Sequence, residues 1–365
     1  MTAMMTNTHP SLRRFWHPVA LESDVPEGRP VPVRLLGEAW LLARLGGQLV
    51  AMRDRCPHRL VPLSAGTIVG DELQCGYHGY RFDATGRATA IPALPPSLPI
   101  PTKACVATAA VAVRFGLVWL CLSDEPVGGI LDDAPFHNPG NDTFLAGPFT
   151  TRVSAGILAD NFLDCAHFPY LHRDTFGEAD DGRPILDVRR DGWRIYQDQD
   201  QMIAGVHLDA PQAHQARYVV GAPFSVELAL HRPDGTDWIW SFVCPVDDQT
   251  SVWYIVDAYP LGGDQELIAA AQRLQAQVGI EDLGMLERME DPNIPIDVRA
   301  EVHTKADIGC LEYRRMLADV ASLGKRGPVA ANASVAPSSP DSTPAATPVA
   351  TGEAPVNPAP MLVRP

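Results

Sequence analysis

Residues Arg55–Tyr80, RCPHRLVPLSAGTIVGDELQCGYHGY, contain two short pairs of side chains that commonly bind metals. The first pair is Cys56 and His58 and the second is Cys75 and His78, so the pattern is C-x-H-x16-C-x2-H. Two thiolates and two imidazoles could hold one tetrahedral zinc ion. They could also hold a [2Fe–2S] cluster, with the cysteines on one iron and the histidines on the other.

Two details of this stretch favour the cluster. Zinc modules usually pair cysteine with cysteine and histidine with histidine, whereas each pair here is mixed. Gly76 and Gly79 flank the second pair, so backbone N–H groups can approach the bridging sulfides and tune the potential of a cluster. The stretch resembles the cluster-binding motif of Rieske iron–sulfur proteins, which implies that all four side chains hold a Rieske-type [2Fe–2S] cluster.

The bulk composition limits the classes of function. The chain has 365 residues, enough for two domains that each bury a core. Its formal net charge of −15 argues against a nucleic-acid-binding surface, which would need a basic face. Seven cysteines make an odd, sparse set without an even disulfide framework. Such a set is typical of a reducing compartment and predicts a cytoplasmic protein.

Neither a signal peptide nor contact with a membrane is expected. The N-terminal stretch MTAMMTNTHPSLRRFWHPVA lacks the apolar run that a signal peptide requires. The most membrane-like window, Ala104–Leu122, is interrupted by Arg114 and Gly116 and is rich in β-branched residues. It predicts two buried strands joined by a turn at Arg114–Gly116 rather than a helix in a bilayer.

Residues 12–125 predict a small all-β domain that carries the metal-binding loops on the tips of hairpins. Short apolar runs alternate with Pro and Gly between residues 14 and 52, a rhythm typical of short antiparallel strands. Another hairpin is expected to turn at Asp83–Gly86. Residues 1–11 are expected to form a separate N-terminal segment.

Residues 148–325 predict a second domain that combines a sheet with helices. Between residues 180 and 259 the apolar side chains alternate with a period near two, which indicates an antiparallel sheet of about six or seven strands. Helical spacing is present in three segments, which are Ala155–Leu171 (at least its first half), Asp264–Met289 and Val302–Leu323.

Two polar segments flank this second domain. Residues 126–147 are rich in Pro, Gly and Asn and are expected to connect the two domains. Residues 326–365 consist almost entirely of Pro, Ala, Ser, Thr and Val without an aromatic residue. Because such a composition cannot bury a core, we expect a disordered C-terminal tail.

A second set of potential ligands lies in residues 160–172, DNFLDCAHFPYLH. Asn161, Asp164 and His167 follow one another at a spacing of three, so on a helix they would share one face. His172 lies five residues beyond His167, with Pro169 between them, so a turn must bring it back. Two histidines and one carboxylate from elsewhere would make the facial triad that binds non-haem Fe(II).

This second stretch, downstream of a Rieske motif, resembles the catalytic domain of Rieske non-haem iron oxygenases. Its D-N-x2-D-x2-H-x4-H spacing is similar to that of the vanillate O-demethylase oxygenase group. The resemblance runs from about residue 12 to residue 320. It implies an α+β protein, in which an all-β Rieske [2Fe–2S] domain precedes a helix-grip catalytic domain of antiparallel sheet and helices.

The resemblance also implies roles for individual residues. His167 and His172 would bind the mononuclear iron, and Asn161 would line the iron pocket. Asp164 would bond to His167 and bridge to the cluster ligand His78 of a neighbouring subunit.

The third iron ligand must come from the later helical segment, where five acids compete, namely Glu281, Asp282, Glu287, Glu290 and Asp291. On a helix Asp282 has apolar neighbours at −4, +3, +4 and +7, so this acid must be paired or bound to a metal. Glu281 lies on a more polar face, beside Gln277 and Arg288. The family places an aspartate after an acid or amide here, and we therefore predict Asp282.

The resemblance implies the oxygenase (alpha) component of a multicomponent monooxygenase. Electrons from NAD(P)H would arrive through a flavin/iron–sulfur reductase or a ferredoxin and, with O2, would hydroxylate or oxidatively demethylate a small aromatic or cyclic substrate. The family also implies a head-to-tail homotrimer. The strands offer several aromatic side chains as pocket walls, although alternation sends about half of them to the other face; they are Trp238, Trp240, Phe242, Trp253 and Tyr254.

Three alternatives remain open at this point. The same scaffold could dihydroxylate a ring or desaturate its substrate. A Rieske electron-transfer protein without oxygenase chemistry would leave roughly two hundred residues without a role. A zinc-binding module would give a colourless protein.

Overall fold

The computed structural model of the protein describes residues 3–176, 187–203, 212–233 and 235–323. It confirms an α+β architecture, with an all-β part followed by a sheet covered by helices. The predicted disordered tail, residues 326–365, lies outside the described residues. So does the start of the region predicted to form the second sheet, residues 180–186.

The first part of the chain forms short antiparallel strands. They are β1 (Met4–Met5), β2 (His17–Leu21), β3 (Val31–Leu35), β4 (Glu38–Leu45), β5 (Gln48–Arg53), β6 (Thr67–Val69), β7 (Glu72–Gln74), β8 (Arg81–Phe82), β9 (Ala88–Ala90), β10 (Thr108–Arg114) and β11 (Leu117–Cys121). Six of the described strands form one sheet in the order β2-β11-β10-β5-β4-β3, and β6-β7-β8-β9 form another. The segment with Cys56 and His58 connects the two sheets, and the segment with Cys75 and His78 joins β7 to β8.

Both predicted turns of the first domain are confirmed. The Gly86 N–H donates to the Asp83 carbonyl at 2.9 Å, and Gly86 has a φ of +78° that favours glycine. Arg114 pairs with Leu117 where β10 turns into β11. The expectation that both strands are buried holds for β11 but is wrong for β10, whose side chains are partly exposed. Its many alanines and valines suit a strand with only one covered face as well as a core strand.

The second part contains a larger sheet and the helices. Its elements are β12 (Asp142–Thr151), α1 (Ala155–Leu163), α2 (Phe168–Leu171), α3 (Arg173–Phe176), β13 (Asp187–Asp191), β14 (Arg194–Ile203), β15 (Gln212–Gly221), β16 (Ser225–Arg232), β17 (Gly235–Asp247), β18 (Thr250–Tyr259), α4 (Gln265–Leu286), β19 (Ile294–Pro295) and α5 (Ile308–Leu323). Seven of the described strands pair antiparallel in the order β12-β18-β17-β16-β15-β14-β13. Six of these described strands, β13 to β18, lie within residues 180–259, where about six or seven were predicted, and β12 joins them from outside that range.

Strand β12 begins at Asp142, inside the residues predicted to connect the domains and before the expected start at residue 148. It pairs with β18 from Asp142 opposite Tyr259 to Thr151 opposite Ser251, with a shift of register between Ala146 and Phe149. The shift at Gly147 and Pro148 divides the strand into two short halves, and each half is too short for a clear alternation in the sequence. The last helix also begins later than predicted, at Ile308, because a 3-10 turn capped by Thr304 precedes it.

The two parts share a continuous apolar core. The ring of Trp119 on β11 meets the ring of Phe242 on β17 edge to face, with centroids 5.0 Å apart. The N–H groups of Leu36 and Gly37 donate to the carbonyls of Pro245 and Val246, each at 2.8 Å. The second sheet therefore offers one face to the first domain and the other to the helices. Among the helices of the described residues, none is sufficiently long and apolar to cross a bilayer.

The N-terminal segment packs against the second domain. Met4 and Met5 pair with Pro295 and Ile294. The buried Asn7 side chain donates to the carbonyls of Asp247 and Thr250 and to the Ser251 hydroxyl at 2.9–3.2 Å. Its oxygen accepts the Ala155 N–H at 2.9 Å. One amide thus connects the N-terminal segment, the β17–β18 hairpin and the start of α1.

We predict that Asn7→Ala lowers the free energy of unfolding by about 2–4 kcal/mol, because buried partners would lose their hydrogen bonds. Chemical denaturation measures the change. Asn138→Ala is the control, because the exposed Asn138 side chain only accepts the Gly140 N–H. Equal, small effects of the two substitutions would contradict the structural role of Asn7.

Candidate metal centres

The two Cys/His segments of the first domain have matching backbone turns. The Cys56 N–H donates to the Val61 carbonyl, and the Cys56 carbonyl accepts the Leu60 N–H, both at 2.9 Å. In the second segment the Cys75 N–H donates to the Tyr80 carbonyl at 2.8 Å, and its carbonyl accepts the Gly79 N–H at 3.0 Å. Each turn thus holds its cysteine between two backbone hydrogen bonds.

Further contacts hold the two turns close together. The Asp54 carboxylate accepts the N–H and the hydroxyl of Ser64 at 2.7 and 2.6 Å, closing the first turn. A Cβ atom on Gly66 would lie 2.1 Å from the Gln74 carbonyl oxygen. A side chain at Gly66 would therefore push the turns apart.

The four predicted ligands lie at this junction. Cys56 and Cys75 are each 1% exposed, and the rings of His58 and His78 have centroids 4.5 Å apart. The Nδ1 atom of His58 is buried and has no hydrogen-bond partner in the described part of the chain. Burial raises the pKa of the Cys56 thiol, so a thiolate there needs the positive charge of a bound metal. This arrangement fits a [2Fe–2S] cluster, and the ligand assignment remains a prediction.

The second candidate centre forms where helix α1 ends. Ser154 caps the start of α1, and the helix stops at Leu163. Asp164 has an extended backbone, and its Oδ1 atom accepts the Ala166 N–H at 2.8 Å. The expectation that Asn161, Asp164 and His167 share one helical face is therefore wrong. Aspartate side chains compete for backbone N–H groups in this way and favour the ends of helices.

The break in the helix brings the two histidines together. His167 and His172 lie at the two ends of the short helix α2, where Pro169 is tolerated because it occupies the first turn. Their ring centroids are 5.1 Å apart. The predicted turn between the two histidines is thus a single helical turn.

Helix α4 supplies a carboxylate to these histidines. Potential ligand atoms of His167, His172 and Asp282 all lie within 4.8 Å of one another, the only such group in the described part of the chain. Asp282 Oδ1 lies 3.1 Å from His172 Nε2 and 3.5 Å from His167 Nε2. Asp282 is 4% exposed, as expected for its apolar helical face. The structure thus brings together the three predicted ligands of the mononuclear iron.

The electrostatics of this site favour a cation. Burial alone would lower the pKa of His167, but Asp164 and Asp282 raise it to about 9. Burial would raise the pKa of Asp282, but the bonds with His167 and His172 lower it. The carboxylates therefore stabilise positive charge at the point where the nitrogen and oxygen ligands converge, which fits Fe(II) in a site of two histidines and one carboxylate.

Glu281 is a functional candidate that the sequence reasoning did not select. Its Oε2 atom accepts a hydrogen bond from His172 Nδ1 at 2.7 Å. Its Oε1 atom accepts from the Thr175 hydroxyl at 2.6 Å and from Gln277 Nε2 at 2.9 Å. These contacts orient His172 so that Nε2 faces Asp282. The available signal was the family pattern of an acid or amide just before the aspartate.

Asp164 lies beside the triad and is partly exposed. Its Oδ2 atom is 3.4 Å from His167 Nδ1, and 34% of its side chain is accessible. The 3.4 Å contact is an ion pair without good hydrogen-bond geometry, since His167 Nδ1 has no hydrogen-bond partner in the described residues. The half-buried Asn161 side chain makes no hydrogen bond within the same residues, and its predicted role at the pocket remains untested.

A polar group next to the triad was not anticipated. The buried Gln199 donates to Cys165 Sγ at 2.8 Å, and the Tyr218 hydroxyl contacts the same sulfur at 3.2 Å. Burial raises the pKa of the Cys165 thiol to about 11, so it stays neutral. Thiol, amide and phenol groups thus meet on the sheet face that the iron-site segments cover.

Most of the predicted aromatic pocket walls lie on the other face of the sheet. The ring of Trp240 packs on Phe115 of the first domain, and Trp238 stacks on Trp240. Phe242, opposite Tyr254, contacts Trp119. Trp253 alone of the five points to the helical face, where its Nε1 donates to Ser241. The alternation was predictable from the sequence, but the face that meets the first domain was not.

Comparisons with known proteins match both halves of the chain. Residues 15–109 match the family model of the Rieske [2Fe–2S] domain, and residues 151–323 match the C-terminal domain of the vanillate O-demethylase oxygenase. Methylxanthine N1-demethylase NdmA of Pseudomonas putida is 30% identical over 339 residues, which are 89% of this chain and 93% of the relative. Methylxanthine N3-demethylase NdmB of the same organism is 30% identical over 254 residues, which are 66% of this chain and 71% of the relative.

Solved structures have the same fold. The structure of P. putida NdmA with caffeine superposes with a TM-score of 0.76 at 28% identity, over 87% of this chain and 94% of that one. Dicamba monooxygenase bound to dicamba gives a TM-score of 0.72 at 21% identity, over 88% and 99% of the two chains. At that lower identity the likeness shows the fold alone.

We predict that His167→Ala removes about one iron per chain, because a site with two remaining ligands binds Fe(II) weakly. The visible spectrum of the cluster should persist, since the cluster ligands lie in the other domain. Metal analysis and absorbance measure both quantities. Retention of about three irons per chain would show that His167 is not a ligand.

We also predict that Glu281→Ala weakens Fe(II) binding by about 10–100-fold, because His172 loses the acceptor that orients it. Glu281→Gln should lower the Fe(II) affinity less, since the amide oxygen can still accept a hydrogen bond from His172. Dialysis of protein selectively stripped of the mononuclear iron against graded Fe(II) gives the affinity. Glu287→Ala is the control, because Glu287 bonds to the Thr151 hydroxyl outside the triad. Equal iron affinity in the Glu281→Ala and Glu287→Ala variants would disprove the role of Glu281.

Proposed function

The chain belongs to the Rieske non-haem iron oxygenases, and from this we propose that it is the oxygenase component of a multicomponent monooxygenase. It would use O2 and electrons from a reductase to hydroxylate or oxidatively demethylate a small aromatic substrate. The convergence of His167, His172 and Asp282, in a chain that also carries the Cys/His turns, is the main support.

Two observations favour demethylation. The model that matches residues 151–323 describes a vanillate O-demethylase oxygenase, and the two relatives described above are N-demethylases. Hydroxylation of a methyl group on nitrogen or oxygen gives an unstable product that releases formaldehyde. The overall reaction uses one O2, two electrons and two protons, and it yields the demethylated product, formaldehyde and water.

We propose a set of protein ligands for each metal group. Cys56, His58, Cys75 and His78 would hold the [2Fe–2S] cluster, and His167, His172 and Asp282 would hold Fe(II). When bound, the cluster supplies electrons and the Fe(II) activates O2. The protein contributes the orientation of the imidazoles, through Glu281 at His172 and Asp164 at His167.

Asp164 is also proposed to couple neighbouring subunits. The accessible part of its carboxylate could accept a hydrogen bond from His78 of a neighbouring subunit, and the His78 side chain is itself exposed. A head-to-tail homotrimer would bring the two side chains together. NAD(P)H would supply the electrons through a flavin/iron–sulfur reductase or a ferredoxin. The sparse cysteines support a cytoplasmic location.

The different-class alternatives account for less of the chain. An electron-transfer Rieske protein or a zinc module would have no use for residues 151–323, which match an oxygenase domain. Ring dihydroxylation and desaturation use the same scaffold, but neither has support from the two demethylase relatives.

We predict that the holoenzyme, given a reductase and NADH, releases formaldehyde from at least one member of a panel of methoxy- and N-methyl aromatics. Formaldehyde and oxygen consumption are measured together, and a coupled reaction gives equal amounts of both. The His167→Ala variant is the negative control. Oxygen-dependent conversion to a ring diol or an alkene without formaldehyde would reject demethylation.

We further predict that Asp164→Asn keeps both metal groups but lowers turnover by at least about 100-fold, because the link between imidazoles is weakened. Stopped-flow absorbance follows oxidation of the reduced cluster in the presence of substrate and O2. Oxidation of the cluster should slow by the same factor. Oxidation at the wild-type rate would eliminate the bridging role of Asp164.

A further inference from the structure

Asp257 on strand β18 is a completely buried acid whose carboxyl oxygens accept no hydrogen bond from the described residues. The residue is 0% exposed, and neither carboxyl oxygen has a hydrogen-bond partner in the described part of the chain. The nearby Asp237 is also buried, but it pairs with Arg232 at 2.9 Å. An unpaired buried carboxyl group destabilises the fold, so its presence calls for a functional explanation.

Asp257 lies on the sheet face that the helices cover. Ile255, Asp257 and Tyr259 are two positions apart on β18, so their side chains share this face. Ile255 contacts Gly279 of α4, and the Tyr259 hydroxyl accepts a hydrogen bond from Gln275 Nε2 at 2.5 Å. Asp282 lies about one turn beyond Gly279 on the same helix. The carboxyl group of Asp257 is therefore under the helix that carries the predicted aspartate ligand.

The cross-strand partners of Asp257 form a row across the sheet that ends near the segment with His167 and His172. Asp257 pairs with Ile239 on β17, Ile239 with Leu228 on β16, and Leu228 with Tyr218 on β15. Paired residues of antiparallel strands point to the same face. Since the Tyr218 hydroxyl contacts Cys165, this row runs beneath both segments that hold the triad.

The surroundings of Asp257 are mostly apolar. Its neighbours in the row, Ile239 and Leu228, are buried and apolar, and the Phe144 ring lies edge to face with Tyr259 at 5.1 Å. Burial raises the pKa of Asp257 well above its ordinary value, and the charge of Asp237 raises it further. The Tyr259 hydroxyl is near enough to lower that pKa, but its position does not satisfy hydrogen-bond geometry.

We propose that Asp257 is the specificity-determining polar contact of the substrate pocket, and that the substrate is a methylated heteroaromatic ring that presents an N–H group to it. This inference rests on the proposed oxygenase function. A side-chain carboxyl oxygen of Asp257 accepts the ring N–H, while the apolar neighbours pack against the ring. A carboxylate or phenolate substrate is disfavoured, because Asp257 offers it no positive charge and Arg232 on the same face already pairs with Asp237.

Substitution separates a binding role from a structural one. Asp257→Val removes an unpaired polar group, so the thermal midpoint should stay level or rise while recognition of N–H is lost. Asp257→Asn retains an amide oxygen and should keep part of the recognition. Glu227 is the matched control, because it is a half-buried acid on the opposite face that accepts the Trp240 Nε1–H at 2.9 Å. Glu227→Leu should lower the thermal midpoint and leave recognition unchanged.

The test measures binding to the iron-loaded holoenzyme with two pairs of probes, theobromine against caffeine and 1-methyluracil against 1,3-dimethyluracil. In each pair, one ring N–H is replaced by a methyl group. For at least one pair, wild-type protein should bind the N–H member at least tenfold more tightly by calorimetry, a difference of about 1.4 kcal/mol. Asp257→Val should reduce that ratio to about one.

Three results would overturn the proposal. They are equal binding of both members of each pair by the wild type, absence of binding by every N–H probe, and an unchanged ratio in Asp257→Val. Formaldehyde release by the same wild-type preparation is measured on a panel of methoxy- and N-methyl aromatics. Release with any of these results would reject the role of Asp257 alone, whereas a fully loaded enzyme that never couples O2 to product would reject the oxygenase function.

Discussion

The convergence of three carboxylates on two imidazoles is the constraint on which the site depends. Asp164 and Asp282 flank His167, and Glu281 and Asp282 flank His172. Asp282 is buried and the other two acids are partly covered, so negative charge of this density needs a neutralising cation to be stable. A bound Fe(II) ion and the hydrogen-bonded imidazoles meet that requirement together. Helix α4 supplies two of the three acids, so its packing against β12 and β18 decides the geometry of the centre.

The two centres depend on different kinds of interaction. The Cys/His turns are fixed by backbone hydrogen bonds and by glycines at close approach, such as Gly66. The mononuclear site is fixed by side chains from two distant segments, through contacts such as that of Glu281 with His172. A backbone-defined site depends mainly on local sequence, whereas a side-chain-defined site depends on tertiary packing.

That difference explains how much could be predicted from the sequence. The cluster motif is local, and the short apolar runs around it, separated by Pro and Gly, predicted the all-β domain. Asp282 was also predictable, because an acid with only apolar helical neighbours must be paired. The end of α1 could not be predicted. Spacing alone favours a longer helix, but the Asp164 carboxylate accepts the Ala166 N–H, and this bond competes with the helix. Glu281 was missed because its partners, His172 and Thr175, are more than a hundred positions away.

The two faces of the large sheet have different proposed roles, one in stability and the other in substrate selectivity. Trp240 and Phe242 pack on aromatic residues of the first domain, so the large apolar side chains of β17 stabilise the contact between domains. The face beneath the iron-site segments instead carries polar side chains such as Gln199 and Asp257 beside apolar ones such as Ile239. A small number of polar groups in an apolar layer gives strong discrimination between ligands. Each such group disfavours a ligand that leaves it unpaired. Replacement of Asp257, whose carboxyl group accepts no hydrogen bond from the described residues, would therefore change the substrate more than it would change the stability of the fold.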